Sequence, residues 1–283
     1  NGTMQVGDMM AFIQYTMQII MSFLMICMIS VMLPRAAVSA TRVDEVLVSH
    51  TLIHDPENPK KLPEDGYGEV TFDHVSFRYP GAEEDVLHDI SFTAKPGQTT
   101  AFIGSTGSGK STLVNLIPRF YDVTEGKITL DGEDIRNITQ HELRDKLGYV
   151  PQKGILFSGD IASNILYGNP DGSEEDMKEA ATIAQATEFI EAKKKKYQSS
   201  ISQGGSNVSG GQKQRLSIAR AIAKHPKIYI FDDSFSALDY KTDVTLRNAL
   251  KEKTADSTVL IVAQRISTIL HAEQIIVLDE GKI

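Results

Sequence analysis

The 283-residue sequence has one cysteine, Cys27. A lone thiol excludes a disulfide framework and a cysteine-rich metal site. The histidines are scattered and form no HExxH pattern, so no structural zinc site is expected. Positive charge is also in short supply. The formal net charge is −8, whereas nucleic-acid binders carry a basic face, so no nucleic-acid partner is expected. The chain shows no internal repeat and no low-complexity segment. Apolar residues make up 41% of it, too much for a disordered chain.

Charge is missing altogether between Asp8 and Arg35. Met9 to Leu33 is long enough for a membrane helix, which needs about 20 mostly apolar residues. Gln14, Thr16, Gln18, Ser22 and Ser30 fit a helix packed against other membrane helices. A signal peptide would start basic and have a shorter apolar core, and here Asp8 precedes the run. The competing reading is a buried helix of a soluble protein. Arg35 and Arg42 follow the run, which places its C-terminal side in the cytoplasm and makes membrane lipid an expected partner. Ala36–Leu52 reads as helical, a cytoplasmic extension of the span that closes a segment of residues 1–52. Residues 53–68 are rich in Pro, Gly and charge and read as a linker.

From residue 69 to 283 the pattern is α/β. Glu69–Tyr79 alternates as a half-buried strand does. Thr99–Ile103, Lys127–Leu130 and Leu147–Val150 read as short strands. Ile228–Phe231, Thr258–Val262 and Gln274–Leu278 read as buried parallel strands. Helices are expected over Lys110–Phe120, Ser173–Ala192 with Ser173 as N-cap, and Gln212–Lys224, the last stopped by Pro226. The basic run Lys193–Lys196 reads as a solvated face. The chain opens on Asn1 and stops at Asp279–Ile283, where a polar turn leads into what reads as another strand. It is therefore read as an internal piece of a longer chain.

Gly104-Ser105-Thr106-Gly107-Ser108-Gly109-Lys110-Ser111 matches GxxxxGK[ST], between a strand and a helix. Its glycines let backbone N–H groups close around phosphate oxygens, and the helix N-terminus adds partial positive charge. Lys110 is expected between the β- and γ-phosphates, and Ser111 on Mg²⁺. Ile228–Phe231 ends in Asp232-Asp233, and Asp232 fits a metal-holding carboxylate. Ser209-Gly210-Gly211-Gln212 opens a further helix and reads as a second anion-binding N-terminus.

Together these residues resemble the nucleotide-binding domain of ATP-binding cassette (ABC) transporters, over about residues 67–283. Tyr79 resembles the aromatic that stacks on adenine. Gly104–Ser111, continuing into Thr112, resembles Walker A. Gln152 resembles the Q-loop glutamine, which reaches Mg²⁺. Ser209–Gln212 resembles the signature motif, Asp232 the Walker B aspartate, and Ser236–Asp239 the D-loop. The resemblance implies an α/β P-loop NTPase cassette with a mixed sheet core, an antiparallel β subdomain and a helical subdomain. One transmembrane helix would precede it as the last of an all-α membrane domain, and the cassette's C-terminal end would be missing. The family pairs two cassettes. Two ATP molecules are held, each between the Walker motifs of one and the signature of the other.

Three positions depart from that pattern. Asp233 stands where the family has its catalytic glutamate, one methylene shorter. Gln264 stands where it has a switch histidine, and cannot carry positive charge. Ser202-Gln203 replaces a Gly-Glu pair. Asp233 and Gln264 fall on one ATP site and one chemical step, while Tyr79, Lys110, Ser111, Gln152 and Asp232 are intact. The resemblance then implies an ATPase subunit of a multidrug-type exporter, paired with a second half-transporter. A heterodimer is favoured, with this chain's own site slow and its signature completing the partner's. A homodimer with an active site, and a regulatory nucleotide clamp, remain alternatives. The transported substrate is not legible.

Overall fold

The computed structural model describes residues 5–63, 66–265 and 269–283. Contacts divide the chain after Leu52 into two units. The first is a single helix, α1 (Val6–Leu47), of 42 residues. At 1.5 Å per residue it is roughly 60 Å long, about twice the ~30 Å hydrocarbon layer of a bilayer. It is long and apolar enough to cross a membrane. The membrane span and its helical extension form one continuous helix, which runs through Pro34 and ends at Leu47 rather than Leu52. Proline removes one backbone donor, at about 3 kcal/mol, and the long helix on both sides of Pro34 absorbs it. The hydroxyls of Thr16, Ser22 and Ser30 donate to the carbonyls of Phe12, Gln18 and Ile26, so those polar groups are satisfied inside the helix.

In the second unit β1 (Val70–Phe77) pairs antiparallel with β2 (Leu87–Ala94). β3 (Thr99–Gly104) passes into a second sheet and is followed by α2 (Lys110–Leu116). β4 (Glu125–Leu130) and β5 (Glu133–Asp134) return to the first sheet, whose order is β2-β1-β4-β5. Then come α3 (Gln140–Asp145), β6 (Leu147–Val150) and a layer of short elements. These are β7 (Gly159–Asp160), α4 (Ile161–Ile165), α5 (Glu174–Ile183), α6 (Thr187–Glu191) and β8 (Ser200–Ile201). α7 (Gly210–Ala223), β9 (Ile228–Asp232), α8 (Tyr240–Lys253), β10 (Thr258–Val262) and β11 (Gln274–Leu278) complete the chain.

The second sheet is parallel throughout, in the order β11-β3-β10-β9-β6. Every residue of β9 and β10 is buried, because both faces of the sheet are covered. Alternation sorts the residues. Tyr229 and Phe231 join a core built with α4, α5 and α7, and Ile228 and Ile230 join one built with α2 and the antiparallel sheet. The Phe72–Phe92 stack, with centroids 4.6 Å apart, anchors the second core.

Two expected helices are shorter than the sequence pattern. The chain leaves α2 at Leu116 and turns at Arg119, φ 54°. Ser173–Ala192 is two helices, α5 and α6, broken at Gln185, φ 56°. Ser173 does cap α5, exchanging hydrogen bonds with Asp176.

Within the segment read as a linker, residues 54–62 are bonded to the rest of the second unit as a strap. Asp55 accepts the Gln140 N–H at 2.8 Å, the Lys60 N–H donates to Asn137 at 2.8 Å, and the Leu62 N–H donates to Glu142 at 2.8 Å. The Arg119 guanidinium donates to the His54 carbonyl at 3.1 Å.

Candidate functional site

The carboxyl ends of β3, β6, β9 and β10 lie at one edge of the parallel sheet, where open α/β sheets bind ligands. β3 ends at Gly104, with φ 152°, and a Cβ there would run into the Leu278 carbonyl. Gly109 precedes α2 with φ 99°, and a Cβ would meet the Leu87 side chain at 2.8 Å. Only glycine fits either position, and between them the loop is bent into a cradle at a helix N-terminus. Ser105, Thr106 and Gly107 line that cradle, while Ser108 is buried beneath it.

Lys110 opens α2. Its Nζ donates to the carbonyls of Gly104 at 2.9 Å and Ser105 at 2.6 Å. Burial holds its pKa below the ordinary lysine value, against the opposing pull of Asp233 and Asp232. Ser111 Oγ donates to Asp232 Oδ1 at 2.8 Å. Burial raises the pKa of Asp232; the Ser111 bond opposes that, and the neighbouring Asp233 adds to it. The Thr112 hydroxyl meets the Tyr79 hydroxyl at 2.9 Å, and the Tyr79 ring packs edge-on against Tyr121.

Asp233 adopts φ 46°, and its N–H donates to Val262 at the end of β10. Its Oδ2 accepts from Gln264 Nε2 at 2.9 Å and from Gln152 Nε2 at 3.2 Å. The glutamine after β6, the acid after β9 and the glutamine after β10 therefore converge on one oxygen. A cavity of about 530 Å³ opens here, lined by the 104–107 loop with Lys110, Gln152, Asp233 and Gln264. That volume suits a nucleotide-sized ligand.

The remaining expected residues lie elsewhere. Tyr79 and Asp232 bond Thr112 and Ser111, which line the cavity, but are not themselves among its lining residues. Ser209 caps α7: its Oγ accepts the Gln212 N–H at 3.3 Å, and Gln212 Oε1 accepts the Ser209 N–H at 3.1 Å. None of Ser209, Gly210, Gly211 and Gln212 lines the cavity. Asp239 caps α8, accepting from Thr242 at 3.0 Å, and that backbone donor holds its pKa down. It too is absent from the cavity wall.

Three supporting residues went unread in the sequence. Arg265 donates to the Ser236 carbonyl at 3.2 Å, tying the segment after β10 to the segment after β9. Ser234 Oγ donates to Val150 at 2.9 Å. Gln214 on α7 bonds the main chain around Gln152. Arg265 and Gln214 stand next to or near residues that the motifs pick out, but nothing local marks them.

A family profile described as ABC transporter matches residues 87–236. Rv1273c of Mycobacterium tuberculosis, an uncharacterized ABC transporter ATP-binding protein, is 49% identical over 287 residues, covering 100% of this chain and 49% of that protein. The chain belongs to the ABC transporter family. YfiB of Bacillus subtilis, also an uncharacterized ABC transporter ATP-binding protein, is 41% identical over 100% of this chain and 48% of its own length. A bacterial Atm1-family ABC exporter solved with ATP bound superposes with a TM-score of 0.82 at 34% identity, over 100% of this chain and 49% of that one. The chain thus spans about half the length of the curated relatives it matches. Its second unit has the ABC-cassette P-loop fold.

The donor set fits Mg²⁺ with ATP. Ser111 Oγ and the Asp232 carboxylate are hard oxygen ligands already in contact. Among the described residues no group of three His, Cys, Asp or Glu could hold a metal alone. Mg²⁺ needs none, since it takes one or two carboxylates plus substrate phosphates.

Proposed function

We propose that this chain is the ATP-binding part of an ABC exporter half-transporter. It couples ATP binding and hydrolysis to efflux, and its own site turns over slowly. α1 would cross the membrane with the cassette on the cytoplasmic side. In this reading the Gly104–Gly109 loop and the start of α2 cradle the ATP phosphates. Lys110 leaves the loop carbonyls for the β- and γ-phosphates, and Tyr79 stacks on the base. Ser111, Asp232 and Gln152 would hold Mg²⁺, which neutralises phosphate charge.

Asp233 is the candidate general base, and the slow-turnover reading rests on it. A base must reach its water within hydrogen-bond distance. Asp233 is one methylene short of the family's glutamate, and one of its oxygens already accepts two amide donors. Gln264 can donate to a phosphate oxygen but brings no positive charge to the transition state. A misplacement of about 1 Å costs on the order of 10²-fold. That shared Oδ2 atom is the observation that carries the proposal.

The signature turn Ser209–Gln212 lies off the cavity and would complete the partner's site, along with Asp239. The pairing proposed is a heterodimer. The test measures ATP binding and ATP turnover on the full-length subunit, unmodified and as Asp233→Glu/Gln264→His. Tight binding with little turnover, raised by the double change, supports the slow site. Ordinary turnover without any change would sink it and favour a homodimeric exporter.

A further inference from the structure

Gln214 lies one turn into α7, the helix that Ser209 opens, and is 2% exposed. A buried carboxamide has to satisfy both of its ends. Its Nε2 donates to the Pro151 carbonyl at 3.2 Å, and its Oε1 accepts the Gly154 N–H at 3.1 Å. The flipped amide would set N–H against N–H, so the pairing fixes the orientation. The two backbone groups bracket Gln152. Gly154 permits the close approach: a Cβ there would lie 2.8 Å from Ser217 Oγ and 3.2 Å from Gln214 Oε1. Further along α7, Arg220 donates to the Ile155 carbonyl at 2.9 Å.

We infer that Gln214 is a positioning residue that fastens Gln152 to the signature helix, so that Gln152 and the Ser209–Gln212 turn move as one body. The inference rests on the two-cassette reading. There Gln152 meets this chain's nucleotide, and Ser209–Gln212 meets the nucleotide of the partner. Gln214 lines neither the cavity nor the signature turn, so it acts only through the main chain on either side of Gln152. A change at one nucleotide is thereby handed to the other, with Gln214 as the contact nearest Gln152.

The test is a double-mutant cycle on the full-length transporter, assembled with its partner half in lipid nanodiscs. Turnover and KM for Mg-ATP are measured for the unmodified complex, Gln152→Ala, Gln214→Met and the double variant. Methionine keeps the volume and removes both hydrogen bonds. Each single variant is expected to lose on the order of tenfold in kcat, because a small misplacement suffices. KM should stay within about twofold, and the double variant should be no slower than Gln152→Ala, because residues of one network are not additive. A double loss equal to the product of the single losses overturns the inference, and so does an unchanged kcat in Gln214→Met.

Gln214→Met strands two backbone groups and lowers the yield of folded protein, so Gly154→Ala serves as the second variant. It presses the loop off α7 and leaves Gln214 intact. It should reproduce the kcat loss and its non-additivity with Gln152→Ala; full activity would overturn the inference. An unmodified complex that hydrolyses no ATP would sink the transporter reading instead. The same cycle is then read on Kd for Mg-ATP, where additive effects still overturn the positioning role and non-additive effects still support it.

Discussion

Asp233 Oδ2 accepts the Gln264 side-chain amide at 2.9 Å. The residue that faces the acid therefore has no proton to gain or lose near neutrality. A free histidine titrates near pH 6.5, and the facing carboxylate would favour the charged form of one at 264. In the paired transporter proposed above, with the opposite site silenced, position 264 should add no step to the pH dependence of turnover at this site between about pH 6 and 8. Gln264→His should add a limb with its midpoint at or above about 6.5. A pH–rate profile of the two proteins checks this. An inflection near 6.5 already present in the unmodified protein would remove position 264 as its cause.

Asp232 is held above the ordinary carboxylate pKa by burial, so the fold disfavours its charged form. The sign follows. The stability penalty is absent below the unfolded-state value, about 3.9, and grows as pH rises through the folded value. Asp232→Asn removes the penalty and keeps an oxygen for the Ser111 hydroxyl. Without nucleotide, the variant should melt higher at pH 7, by about 2–4 °C for each kcal/mol regained. The gain should vanish near pH 4, and the stabilisation by Mg-ATP should be lost. Melting curves at the two pH values, with and without Mg-ATP, read both effects. A lower melting temperature at pH 7 contradicts the burial argument.

The parallel strands were legible because burial on both faces leaves uninterrupted apolar runs, as in Ile228–Phe231 and Thr258–Val262. The glycine loop was legible because its backbone angles and close approaches exclude other residues. β2 was missed because a bulge at Asp89, φ 48°, breaks the alternation between Leu87 and Ile90. α8 was missed because few of its side chains face the core; Asp243 is buried against Arg247, which hides an acid inside an apolar stripe. The resemblance put Asp233 and Gln264 on one ATP site, but the bonds of Gln152 and Gln264 to one Asp233 oxygen were not legible, since three separate strands bring these residues together. Sequence spacing carries no trace of that distance.

Arg119 is buried, with Nε 2.6 Å from Asp122 Oδ1 and Nη2 3.1 Å from the His54 carbonyl. It follows directly from the P-loop helix and grips the strap that leads back toward α1. Arg119→Ala leaves the His54 carbonyl and the Asp122 carboxylate without this donor. The expected loss is about 1–3 kcal/mol, discounted because Asp122 is partly exposed. Hydrogen exchange should rise across residues 53–57 before it rises at Leu62, whose own bond to Glu142 remains. Uniform exchange along the strap would show that Arg119 does not hold it. The Asp55 anchor responds to acid. The Gln140 N–H depresses its pKa, so its contribution is complete above the ordinary aspartate value and is lost as pH falls through the folded one.

Ser209 caps α7 through a reciprocal pair with Gln212. Ser209→Ala removes one hydrogen bond at an exposed helix start, which costs about 1 kcal/mol. The fold should survive, because α7 is fixed further along by Leu216, Ile218 and Ile222 in the core. Ser209 does not line this chain's cavity, so Mg-ATP affinity at the chain's own site should stay unchanged. If the signature turn serves the opposite nucleotide, turnover of the assembled transporter should still collapse, with the larger defect at the partner's site. Nucleotide trapping resolved by subunit separates the two sites. Equal loss at both sites would mean that the substitution damages the cassette as a whole. Loss at this chain's own site alone would place the turn against its own nucleotide and break the two-cassette reading.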